Sequence, residues 1–127
     1  MSITILVVED NLDNMKLVAW TLEDEGYAFE AAGSAEQALV ALEQRHFDLV
    51  LMDVSLPGMD GKEATRWIRA HPRLADLPVI ALTAHAIKGE DQAILASGVS
   101  ALVTKPIDEP LLLATIRCCL PTGASHD

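Results

Sequence analysis

Basic residues are scarce in this 127-residue chain: nine Lys and Arg stand against 19 Asp and Glu, a formal net charge of −10. Such a surface is repelled by a phosphate backbone or an anionic leaflet, and the nine cations are scattered singly. Nucleic-acid and membrane-surface binding are therefore poor first readings. Cysteine is nearly absent, and the two present, Cys118 and Cys119, are neighbours. Adjacent cysteines build no disulfide framework, and no Cys/His spacing suits zinc. They read as small residues on a helix in a reducing compartment. No apolar run approaches bilayer length. The N-terminus lacks the basic start of a secretory signal and reaches Glu9-Asp10 at once. The expectation is a soluble, cytoplasmic protein.

What is abundant is apolar: half of the residues, enough for one core at this length. Short β-rich runs alternate with helical periodicity. Ile3 to Val8 reads as a strand buried on both faces. Asn11 to Glu25 reads as a helix with Leu12, Met15, Val18, Ala19 and Leu22 on its core face, stopped by Gly26. Tyr27 to Ala31 is a second strand, and Ser34 with Gln37 opens a helix that buries Ala38, Leu39 and Leu42. Asp48 to Met52 is a third strand, followed by a loop with Pro57, Gly58 and Gly61 and a helix to about Ala70. Pro72 and Pro78 bracket a linker to a strand at Val79 to Leu82. A helix from about Ala84 to Gly98, a strand at about Ser100 to Val103 and a helix from Asp108 to Leu120 complete the pattern. Residues 1–120 form one domain and 121–127 a polar, flexible tail. The initiating methionine and this tail fit a complete small protein.

Five strand–helix units point to an open parallel sheet covered on both faces, which binds ligands beyond the carboxyl ends of its strands. Glu9 and Asp10 follow the first strand, Asp53 the third, Thr83 the fourth and Lys105 the fifth. Three carboxylates on one edge repel one another unless a cation sits among them, and a hard ion such as Mg2+ suits oxygen ligands. A carboxylate oxygen of Asp53 can attack a phosphoryl group, with Lys105 balancing the charge and Thr83 donating to a phosphoryl oxygen. Each residue alone has an ordinary explanation as a helix cap, a dipole complement or a solvated charge. Four strand ends supplying one metal–phosphate site is a less ordinary coincidence, and the site reading prevails.

Other phosphate sites fail on residues. There is no GxGxxG after the first strand and no Walker loop. A haloacid-dehalogenase phosphatase needs a second Asp two residues after the nucleophile, where Ser55 stands. His46, His71 and His126 read as surface, and His85, two residues past Thr83, reads equally as overhanging the site or as a solvated residue in the first turn of a helix.

These segments resemble response-regulator receiver domains of two-component signalling. The resemblance rests on Val-Val-Glu-Asp-Asn at 7–11, Leu-Met-Asp-Val-Ser-Leu-Pro-Gly-Met-Asp-Gly at 51–61, Ile-Ala-Leu-Thr-Ala at 80–84 and Thr-Lys-Pro-Ile at 104–107. The chain resembles the stand-alone receivers, DivK-like or chemotaxis-type; Ala84 to Glu90 and Asn14 to Leu17 look most like the DivK-like kind, although receivers of hybrid kinases look similar. The resemblance implies a flavodoxin-like (βα)5 three-layer sandwich, its parallel sheet in the order 2-1-3-4-5. It implies Asp53 as phosphoacceptor from a phosphohistidine. Mg2+ would be held directly by Asp10 and Asp53, through water by Glu9, and by the backbone carbonyl of Ser55. Lys105 would contact the phosphoryl group, Thr83 would act as switch hydroxyl, and Ser55 and His85 would tune phosphate lifetime. A cis bond is implied before Pro106. Partners would be a sensor histidine kinase or a histidine phosphotransfer protein, docking at Leu17 and Pro106, and a downstream target protein; no nucleic acid or membrane is expected. Trp20, off the core stripe of the first helix like Leu17, reads from the residues either as part of that docking surface or as packing at the helix edge. The domain would be no enzyme beyond its own phosphoryl transfer and slow dephosphorylation. One departure stands out: Leu102 occupies the position where the family usually places a switch aromatic or His. That predicts a smaller or differently routed response, and it leaves open a phosphorylation-independent interaction module on the same fold.

Overall fold

The computed structural model describes residues 3–54, 59, 61–83 and 90–120. Strands β1 (Thr4–Val8), β2 (Ala28–Ala32), β3 (Leu49–Asp53), β4 (Val79–Thr83) and β5 (Ala101–Thr104) alternate with helices α1 (Leu12–Asp24), α2 (Ala35–Gln44), α3 (Gly61–Ala70), α4 (Glu90–Ala96) and α5 (Glu109–Cys119). All pairings are parallel, and the sheet runs β2-β1-β3-β4-β5. The open parallel sheet is the one the residues led one to expect, and its flavodoxin-like order is the one the resemblance implied.

Alternation along the strands sorts the core into two layers. Ile5, Val7, Leu49, Leu51, Ile80 and Leu82 pack beneath Val18 and Leu22 of α1 and Leu112 and Ile116 of α5. Leu6, Val8, Val50, Met52 and Val79 face α2 and α3 through Ala38, Leu42, Ala64 and Ile68. Val54, Ala81 and Ile94 form a smaller cluster, with Leu102 packed against it. Because β1, β3 and β4 are covered on both faces, they read as unbroken apolar runs.

Helix starts follow local chemistry. Asn11, Ser34 and Asp108 cap α1, α2 and α5, their side-chain oxygens accepting from the backbone N–H three residues on. Gln37 reaches back to the Gly33 N–H at 2.9 Å, so the second half of the capping arrangement falls one residue before Ser34. Gly26 takes φ +84 and Gly98 φ +107, left-handed turns that suit glycine.

Several expectations shift. Leu12, assigned to the core face of α1, is 75% exposed, because it sits at the first turn beyond the edge of the sheet. Asp53 and Thr83 are the last residues of their strands rather than the first after them, and Gly61 opens α3 instead of lying in the loop. His71 is not simply a surface residue: its ring lies tilted against Trp67, the centroids 5.1 Å apart, and its side chain is mostly covered. Cys118 is exposed, while burial pushes the half-buried Cys119 thiol up from its ordinary value. The expected start of a helix at 84 and the tail 121–127 lie outside the described residues.

Candidate phosphoryl and metal site

The carboxyl edge of the sheet gathers what the strand ends promised. Glu9 leaves β1 with its backbone N–H bonded to Ala32 O, and Asp53 ends β3 in register with Leu82. Both are buried, at 3% and 2% exposure, whereas Asp10 is exposed. Oxygens of all three carboxylates lie within 4.8 Å of one another. Lys105 reaches in from beyond β5, its Nζ 2.9 Å from Glu9 Oε1 and 3.4 Å from Asp53 Oδ2. Its backbone is aimed by the bond from Lys105 N–H to Thr83 O at 2.7 Å and is followed by a cis bond to Pro106. Thr83 is buried at the end of β4.

The charges do not balance. Among the described residues one ammonium faces three carboxylates, two of them out of water, which is costly unless further positive charge arrives. Burial pushes the Glu9 carboxyl above its ordinary 4.5, and the hydrogen-bonding contact and charge of Asp53 add to the rise; Lys105 opposes it without cancelling it. Glu9 Oε2 accepts from the Asn11 N–H at 3.2 Å. Oε1 touches the Lys105 ammonium as an ion pair, yet receives no well-directed hydrogen bond from the described residues. A buried acceptor with spare capacity beside two further hard oxygens fits a divalent cation of the Mg2+ kind.

Asp53 is also held from behind. A Cβ on Gly61 would stand 2.5 Å from Asp53 O and 2.9 Å from Val54 Cα, so only glycine lets α3 start this close to the site. The Gly61 N–H bonds Val54 O at 3.3 Å. Nothing in the sequence reading marked Gly61 for this role; its signal was a glycine eight residues after the key Asp.

The edge therefore brings together Glu9, Asp10, Asp53, Thr83 and Lys105. Leu102 lies apart, half-buried against Val54, Ala81 and Ile94, with no polar atom to turn toward the site. Of the expected docking residues, Trp20 is 76% exposed, Leu17 is half-buried and Pro106 is exposed. Ser55 and His85 lie outside the described residues.

A parallel five-stranded sheet in this order, with an acidic trio and a lysine at its carboxyl edge, defines a receiver-type α/β domain. The chain belongs to the response regulator receiver domain family, whose model matches residues 5–117. It is 39% identical over 120 residues to the polar-differentiation response regulator DivK of Brucella ovis, covering 94% of this chain and 98% of that protein. It is 44% identical over 115 residues to the sensor protein GacS of Pseudomonas syringae pv. syringae, 88% of this chain but 13% of that one. Among solved structures, the chemotaxis response regulator CheY4 of Vibrio cholerae superposes with a TM-score of 0.88 at 28% identity, covering 94% of this chain and all of that one. The receiver domain of the sensor histidine kinase PA1611 from Pseudomonas aeruginosa, with a magnesium ion coordinated in its active site cleft, gives 0.87 at 34% identity over 93% and 97% of the two chains. The chain is thus a receiver domain of two-component signalling with single-domain relatives. Among the described residues no helix is long and apolar enough to cross a membrane.

Proposed function

We propose that the chain is a single-domain response regulator of the cytoplasm that accepts a phosphoryl group on Asp53. The observation that carries this reading is the buried Asp53 carboxylate, 3.4 Å from the Lys105 ammonium, inside a trio of carboxylates whose oxygens lie within 4.8 Å of one another. An Asp53 carboxylate oxygen attacks the phosphorus of a phosphohistidine; an O–P bond forms, the N–P bond breaks, and the imidazole leaves with the electron pair and takes up a proton. Lys105 neutralises charge on the phosphoryl oxygens, and the Thr83 hydroxyl donates a hydrogen bond to one of them. Glu9, Asp10 and Asp53, with the Ser55 carbonyl, would hold Mg2+, which supplies charge neutralisation on the phosphoryl oxygens. The same residues allow slow loss of the phosphoryl group to water, and the domain acts on no external substrate.

The donor is a sensor histidine kinase or a histidine phosphotransfer protein, docking against Leu17, Trp20 and Pro106, and the output is a contact with a target protein. The packing of Leu102 among apolar side chains favours a second reading, an interaction module indifferent to phosphorylation. Acetyl phosphate separates the two. With Mg2+ the intact mass should rise by one phosphoryl group, and the gain should vanish without Mg2+ or in Asp53→Ala. No gain, with beryllofluoride also failing to bind, would leave the module.

A further inference from the structure

Helix α3 touches the site at one end and a distant turn at the other. Its first residue, Gly61, is pressed against the Asp53 carbonyl and bonded to Val54 O. Its ten residues span roughly 15 Å at 1.5 Å per residue. Near the far end, Arg69 turns away from solvent into a nest of backbone carbonyls. Nε donates to Gly98 O at 2.8 Å, Nη1 to Leu77 O at 2.7 Å and Ala75 O at 3.1 Å, and Nη2 to Ser100 Oγ at 3.4 Å. The aliphatic stem packs so closely on Gly98 that a Cβ there would stand 2.9 Å from Arg69 Cγ. Ser100 Oγ in turn accepts from the Val79 N–H at 3.2 Å. One guanidinium thus joins α3, the approach to β4 and the turn between α4 and β5.

From this geometry we infer that α3 and Arg69 form a rigid link that carries a change at Asp53 to the α4–β5 turn. The inference rests on phosphoryl acceptance at Asp53. A close-packed helix transmits displacement rather than absorbing it. A planar fork with four fixed acceptors cannot follow α3 without moving Gly98 and Ser100, whereas an ammonium on a flexible stem can. Leu102 offers no comparable polar connection, since it is bedded among Val54, Ala81 and Ile94.

The test is amide NMR with beryllofluoride and Mg2+ as the probe of the occupied site, on wild type, Arg69→Lys and Arg69→Gln. Unfolding curves for each identify any variant that fails to fold, and Gln keeps most of the stem if Lys does not serve. In wild type, shifts are expected at Asp53, Val54 and Thr83 and also at Leu77, Gly98 and Ser100. In the variants the first group should shift as before, with unchanged beryllofluoride affinity, while the second group loses its response. In a variant whose unfolding curve matches wild type, loss of the response in both groups together overturns the link. The link is equally refuted if the second group still responds in both variants, or stays silent in wild type while the first group moves. Silence of both groups in wild type refutes phosphoryl acceptance itself, a failure distinct from that of the link.

Discussion

The two edges of the sheet are made from the same strands and treat polar groups in opposite ways. At the amino edge they close on one another. The Thr4 N–H donates to Asp48 Oδ2 at 2.9 Å while the Asp48 N–H donates to Thr4 O at 2.8 Å. The Val79 N–H donates to Ser100 Oγ while the Ser100 N–H donates to Val79 O at 2.7 Å. At the carboxyl edge, among the described residues, carboxylates outnumber cations, Glu9 keeps a buried acceptor without a directed donor, and its pKa is driven up. One edge lowers the free energy of the fold; the other concentrates like charge, at some expense in stability.

The largest break in this contrast is expected from Gly61→Ala. The new Cβ cannot coexist with Asp53 O at 2.5 Å, so the backbone must yield. A loss of about 2 kcal/mol in urea unfolding is expected, within the ordinary range for overpacking, together with slower phosphorylation by acetyl phosphate as Asp53 is displaced. Full stability and a wild-type rate would show that α3 does not brace the site.

The next effect is one of pH. Because the folded-state pKa of Glu9 lies above 4.5, the folded protein binds more protons than the unfolded chain between those values. Without a divalent cation, the contribution of Glu9 to stability is greatest below 4.5 and is lost as pH rises through its raised pKa. Mg2+ favours the carboxylate form, so its stabilisation should grow over the same window. Melting temperatures with and without Mg2+ across that range should diverge with rising pH, and Glu9→Gln should remove the Glu9 part of the divergence. Parallel curves would argue against Glu9 as part of the cation site.

At the opposite edge, Asp48→Ala removes the acceptor for the Thr4 N–H. A loss of about 1 kcal/mol is expected, with acetyl phosphate labelling unchanged; a fall in labelling would mean that the two edges are not independent. The smallest effect on stability is expected off both edges, at Trp20. Trp20→Ala should change unfolding by less than about 0.5 kcal/mol, since the ring covers little. It should nevertheless slow transfer from a phosphohistidine donor while leaving acetyl phosphate labelling intact. Equal donor rates would remove Trp20 from the docking surface.

Local signals read well from the chain. Ser34 and Gln37, the apolar run of β3 and the glycines that end α1 and α4 depend on neighbours a few residues away, so their chemistry is visible in order along the sequence. The leucine at 12 misled because periodicity describes a face of a helix but not how far along it the sheet extends. Arg69 was missed for a different reason. Its acceptors come from residues 75, 77, 98 and 100, and nothing in Arg-Trp-Ile-Arg tells which arginine turns inward.

By itself, the sequence determined which residue types stand at each strand end, because parallel strands buried on both faces announce themselves as apolar runs and their ends as the first polar residues. Only the tertiary structure decided that Lys105 meets Glu9 and Asp53, that Gly61 braces Asp53 from behind, and that Arg69 joins α3 to a turn about thirty residues away. Those contacts are set by strand order and helix packing, which bring together side chains remote in the chain, and distance along the chain carries no record of them.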